Sequence, residues 1–165
     1  MWQMSSESEV FIGYADGAIW HTRRLASTAW VIFTPWGQLL SSRGICLGDT
    51  TNNVTEYSAV IELLCNVMLF GISHLRVYLY AQLVVSQLNR VYHVHDPTLH
   101  RWFLRVRLLE RSFDYIIYFH VPRRLNQIID TLTNQFLDWH LAHIKKRHTH
   151  KHVNTFLKAN MIHKT

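Results

Sequence analysis

The sequence predicts an α/β fold, a five-stranded mixed sheet with helices on both faces. Three observations lead there. Runs rich in β-branched and aromatic residues alternate with segments whose apolar residues recur at helical spacing. The second and third strand-like runs are separated only by a turn signal, so they pair antiparallel. The later strands each follow a helix, and right-handed crossovers bring such strands in parallel to the first.

Taken in order, residues 1–8 read as a loose leader. Glu9 to Ala15 reads as a buried strand, ending at Asp16-Gly17 where glycine permits a turn. Ala18 to Thr28 lacks periodicity and reads as a loop. Ala29 to Thr34 is strand-like, Pro35-Trp36-Gly37 is a turn signal, and Gln38 to Leu47 returns as the second arm of a hairpin. Thr51 to Ala59 then opens a helix running to Phe70. Asn53 is its expected N-cap, and Glu56, three residues on, completes a capping box. Gly71 is the expected C′ glycine. Leu75 to Tyr80 reads as a strand, and Ala81 to Asn89 and Leu99 to Phe113 as helices. Tyr115 to Val121 is a strand cut by Pro122, and Leu125 to Ala142 is the last helix. The expected domain is therefore 9–143, with 144–165 a basic, His/Lys-rich tail.

A chain of 165 residues buries a substantial core as one domain without disulfides. Its 48% hydrophobic content excludes a disordered class. Cys46 and Cys65 make no disulfide framework or CxxC site, so reduced thiols in an intracellular protein are expected. No apolar stretch reaches membrane-spanning length and no secretory leader is visible, so no membrane partner is expected. The net charge of +6 lies entirely in residues 140–165, which hold Lys145, Lys146, Arg147, Lys151, Lys158 and Lys164 and no acid. A basic segment on a neutral body suits a polyanion such as nucleic acid, and it equally suits a solvated extension.

Three acids stand out by position: Asp16 after the first strand, Glu56 in the first turn of a helix, and Asp130 in the helix after the last strand. Each has a plain reading alone, as a turn aspartate, a capping residue and a charge favoured by the helix dipole. In α/β sheets, however, sites form beyond the carboxyl ends of the parallel strands, where all three are expected to meet. Gathered carboxylates repel unless cations lie between them, and hard oxygen donors select magnesium or manganese. Two such ions form the clamp used for phosphodiester cleavage.

Five stretches sharpen this. They are Tyr14-Ala15-Asp16-Gly17-Ala18, Thr51 through Ala59, Ala81 through Asn89, Asp96-Pro97-Thr98-Leu99, and His120-Val121-Pro122-Arg123 with Asn126 and Asp130. In order and spacing they resemble the ribonuclease H family, most closely the domain found in plant retrotransposons. The resemblance implies a ribonuclease H-like fold and endonucleolytic cleavage of RNA in RNA–DNA hybrids with two Mg2+ or Mn2+ ions. It implies that Asp16 bridges the metals, that Glu56 and Asp130 bind metal from either side, and that Asn53, Gln82, Arg123 and Asn126 lie near nucleic acid. A monomer is expected.

One position departs. The family pattern Asp-Ser-Gln-Leu-Val-Val reads here Tyr80-Ala81-Gln82-Leu83-Val84-Val85, so the third carboxylate is a tyrosine. A phenol is neutral at working pH and bulkier than a carboxylate, which removes a ligand and crowds the pocket. Impaired cleavage is therefore expected. The alternative is a catalytically inactive RNA- or hybrid-binding protein, or a retroelement-derived relic. His120 reads as a packed strand-end histidine. His148, His150 and His152 alternate without specifying a closed metal site.

Overall fold

The computed structural model describes residues 9–122 and, beyond them, positions 127, 131, 135, 138, 142 and 143. Five strands form one sheet: β1 Phe11–Trp20, β2 Leu25–Phe33, β3 Leu39–Leu47, β4 His74–Leu79 and β5 Tyr115–His120. Between them lie α1 Asn52–Leu69, α2 Gln82–Leu88 and α3 Pro97–Glu110. The strand order is β3-β2-β1-β4-β5. β1, β2 and β3 pair antiparallel, while β4 and β5 run parallel to β1. The mixed five-stranded sheet predicted from the sequence is therefore present. The six later positions are helical and exposed, at the spacing of one face of the expected last helix. The leader and the basic tail lie outside the described residues.

Two local expectations are corrected. The first strand does not turn at Asp16-Gly17 but continues to Trp20, paired with β2 through Asp16↔Ala29, Gly17↔Thr28 and on to Trp20↔Leu25. The stretch read as a loop thus supplies the end of one strand, a single 3-10 turn at His21–Arg23, and the start of the next. Cross-strand pairing to a long neighbour outweighs the weak local signal of one glycine. The helix N-cap is Thr51, not Asn53: its Oγ1 accepts the Val54 amide at 3.3 Å. The C-terminal punctuation stands as expected, with Gly71 at φ +71°.

The core lies where α1 crosses β1 and β2. Tyr57, Val60, Leu63, Leu64 and Val67 form its inward stripe, against Ala15, Trp30 and Ile32 of the sheet. Gly13 allows that packing, because a Cβ there would meet Leu63 Cδ2 at 2.8 Å. Asp96 caps α3 through the Leu99 amide at 2.8 Å, with Pro97 in the first turn. On β1 and β4, Tyr14 and Tyr78 stack at 5.1 Å between ring centroids, and Tyr78 stacks on Phe119 of β5 at 5.2 Å. These rings belong to the face opposite α1, since successive residues of a strand alternate sides.

Several polar groups inside are paired, whereas Thr28 Oγ1 and Trp30 Nε1 are buried without a hydrogen-bond partner among the described residues. The Tyr57 hydroxyl donates to Gln87 Oε1 at 2.7 Å, joining α1 to α2. Glu110 accepts both from Arg107 and from the Tyr118 hydroxyl at 2.8 Å, and Arg107 also donates to the Leu88 carbonyl. Burial pushes the Tyr57 and Tyr118 phenols well above their ordinary range, so both remain hydrogen-bond donors. Tyr57→Phe would leave Gln87 with a buried unmet acceptor. We expect a loss of about 1–3 kcal/mol in denaturant unfolding at unchanged secondary structure.

Candidate active site

β1 outruns its parallel neighbour. The β1–β4 ladder ends at Ala15↔Leu79, while β1 continues past it along β2. Asp16 therefore sits at the carboxyl rim of the parallel strands although it lies mid-strand in β1. The next amide, that of Gly17, donates to Asp16 Oδ1 at 3.0 Å and to Glu56 Oε2 at 3.2 Å. Two carboxylates distant in sequence, Glu56 lying 39 residues from Gly17, thus converge on one N–H. Glu56 points to the strand rather than back to its own helix terminus, so its capping-box role is replaced by this contact.

The convergence requires a close approach. A Cβ on Gly17 would lie 2.6 Å from the Thr55 methyl, 3.0 Å from the Thr55 carbonyl carbon and 3.1 Å from the Glu56 nitrogen. Two of those neighbours are backbone, so the first turns of α1 rest directly on β1. Asp16 is only 6% exposed, whereas Glu56 is half-buried. The amino end of α1 faces the same rim, and the positive end of its dipole favours negative charge there.

A cleft of about 710 Å3 opens at this rim. Asp16, Asn53, Glu56, Tyr80, Gln82 and His120 all line it. Of the sequence-predicted site residues, Asp16, Glu56, Asn53, Gln82 and the substituted Tyr80 are thereby brought together. Asp130, Arg123 and Asn126 lie outside the described residues. Asn53 is half-buried in the first turn of α1, and Gln82 is exposed at the first turn of α2. Tyr80 follows the last residue of β4, Leu79, which pairs with Ala15 in the middle of β1.

His120 was not expected here. It is exposed and lines the cleft instead of packing into the core. The usable signal is register: His120 is the last residue of β5 and pairs with Leu79, immediately before Tyr80. Among the described residues no group of three His, Cys, Asp or Glu side chains is arranged to hold a metal ion. The Asp16–Glu56 pair offers oxygen donors suited to one hard divalent cation. It does not by itself offer enough for two. A larger cleft of about 860 Å3, between α3 and its connection to α2, has Glu110 as its carboxylate, already paired with Arg107.

A family model described as reverse transcriptase-like matches residues 14–136. Ribonuclease HI of Halobacterium salinarum is 35% identical over 125 residues, 76% of this chain. The chain belongs to the ribonuclease H-like family. The match spans 63% of that relative's own length. Among solved ribonuclease H structures, the N-terminal domain of Rv2228c from Mycobacterium tuberculosis superposes with a TM-score of 0.77 at 28% identity. It covers 83% of this chain and 99% of that one. LC11-RNase H1, solved in complex with an RNA/DNA hybrid, gives 0.74 at 31% identity over 79% of this chain and 99% of its own.

Because Gly17 sets the distance between strand and helix, Gly17→Ala tests the geometry. An added methyl meeting backbone should cost about 1–3 kcal/mol in stability. It should also weaken divalent-cation binding more than Thr98→Ala, at an exposed position of α3, does, as titration calorimetry would show.

Proposed function

We propose that this protein binds RNA–DNA hybrids at the carboxyl rim of its sheet and cleaves the RNA strand slowly, as an impaired ribonuclease H. The observation that carries the reading is the shared Gly17 amide, which holds Asp16 and Glu56 together in a cleft lined by polar amides. Family membership and the hybrid complex of the LC11 relative support it.

The residues divide the work by chemistry. Asp16, held nearly buried, and Glu56, anchored on α1, place negative charge where a divalent cation is attracted. Divalent cations bound at such a site activate water and stabilise the leaving oxygen in phosphodiester hydrolysis. Asp130 belongs to the same set by its place in the family motif. The amides of Asn53 and Gln82 donate to phosphate or sugar oxygens, which positions the hybrid without reading its sequence. Arg123 and Asn126 extend that contact past the last strand. Backbone contacts of this kind weaken with added salt.

Tyr80 is the reason for proposing slow turnover. It lines the cleft in the position of a family carboxylate and brings no charge. The same observation favours the second reading, a protein that binds hybrid or RNA without cutting it.

Cleavage of an end-labelled RNA–DNA hybrid in magnesium and in manganese separates the two. We expect slow cutting by the natural chain and none by Asp16→Asn. Tyr80→Asp should cut faster by at least the roughly 100-fold that mere outer-shell partners of a metal command. Cleavage only by Tyr80→Asp would leave the natural chain a binder. Neither cleavage nor salt-dependent hybrid binding by any version would remove nucleic acid from the reading.

A further inference from the structure

We infer that the cleft between α3 and its connection to α2 is a docking groove for a short, acidic, amphipathic helix of another protein. It shares no lining residue with the cleft at the carboxyl rim, so it does not rest on the hybrid-nuclease reading.

The first argument is surplus apolar surface. α3 serves the core with Leu99, Trp102, Phe103, Val106 and Leu109, a stripe at helical spacing. Leu104 and Leu108, one turn apart and outside that stripe, stay 46% and 59% exposed. Single exposed leucines are ordinary, but these two line one cleft of about 860 Å3 together with the exposed Tyr92. His100 and Arg111 extend the same exposed wall along α3 for about 16 Å.

The second argument is charge. Arg90, Arg107 and Arg111 line the cleft against one acid, Glu110. Glu110 is taken up by Arg107 and by the Tyr118 hydroxyl. Among the described residues Arg90 and Arg111 make no ion pair, so two exposed guanidinium groups accompany the leucines. Their complement is an apolar surface that carries carboxylates.

The third argument is Arg90 itself. α2 ends in a Schellman motif, in which the Arg90 and Val91 amides donate to the Gln87 and Ser86 carbonyls at 3.1 and 2.8 Å. Arg90 there has φ +60°, a left-handed conformation that only glycine adopts without a Cβ penalty. An arginine in that place gives up stability that a glycine would keep, as residues at binding sites do.

Phe103 decides the class of the occupant. The Arg107 guanidinium lies over its ring, 4.6 Å from the centroid, and the His100 ring stacks on it at 6.1 Å. Those partners come from one turn after it and one turn before it, so both faces of the ring are taken. Single-stranded nucleic acid needs successive open rings, and of the two phenyl rings lining the cleft only that of Tyr92 is exposed. Leucines at i and i+4 beside basic groups instead match the seating of an acidic helix in a groove.

The test is fluorescence anisotropy of labelled peptides with the full chain. The probes are acidic peptides about 15 residues long, enough to hold a helix, with leucines at i and i+4 and a third at varied spacing. An isomer with its leucines scattered is the control. Leu104→Ser/Leu108→Ser should weaken the best striped peptide at least about tenfold. Only binding lost in that variant is scored, which discounts the basic tail. Arg90→Gly, which suits the left-handed position, should weaken it about threefold. Arg111→Glu should weaken it likewise, and a peptide with lysines in place of its glutamates should bind Arg111→Glu better than the natural chain. Circular dichroism checks that each variant folds. Equal binding of the scattered isomer, no loss in the folded double variant, or no binding by any striped peptide would overturn the inference. So would an oligothymidine whose affinity falls as far as the peptide's in the double variant and in Arg90→Gly, because the cleft would then serve single-stranded nucleic acid.

Discussion

A side chain of even one carbon at position 17 would lie 2.6 Å from the Thr55 methyl and 3.0 Å from the Thr55 carbonyl carbon, so β1 and α1 meet there only because the residue is glycine. That contact lets Glu56 reach over the helix onto the strand and share the Gly17 amide with Asp16. It depends in turn on the core behind it. Leu63 seats over Gly13 two residues earlier on the same face of β1 than Ala15, and the stripe from Tyr57 to Val67 fixes the height of α1 above the sheet. Strand geometry, helix packing and the placement of two acids are thus one problem with one solution.

The architecture was legible because its signals are long and periodic. The hairpin turn at Pro35-Trp36-Gly37, the apolar stripe of α1 and the Gly71 stop all carried through. The strand end at Asp16-Gly17 did not, since a glycine that permits a turn is locally indistinguishable from one that admits a helix. Only the partner element tells them apart. The same limit explains Thr51. Thr51, Asn52 and Asn53 are all competent N-caps, and tertiary placement of α1 decides among them. Glu56 at the capping-box spacing from Asn53 drew the choice to the wrong residue, because its carboxylate is used across the sheet.

Of the site, Asp16, Glu56, Asn53 and Gln82 were readable through motif spacing, and the cleft gathers them. His120 was not, because nothing in its neighbours says that β5 stops level with β4. That information lies in the register Leu79↔His120. Tyr80 was legible as a departure, and it is found directly after β4, lining the cleft. A chain can keep the fold, the gathered acids and the polar amides with a tyrosine at position 80, because the glycine contact rather than that side chain sets the distance between β1 and α1.

The proposed divalent-cation site at the shared Gly17 amide is open to measurement by paramagnetic broadening. In a two-dimensional amide spectrum of the isotopically labelled chain, substoichiometric Mn2+ should extinguish the Gly17 and Glu56 signals first, and Asp16→Asn should preserve them at the same dose. Broadening confined to the tail histidines, with Gly17 and Glu56 untouched, would contradict it.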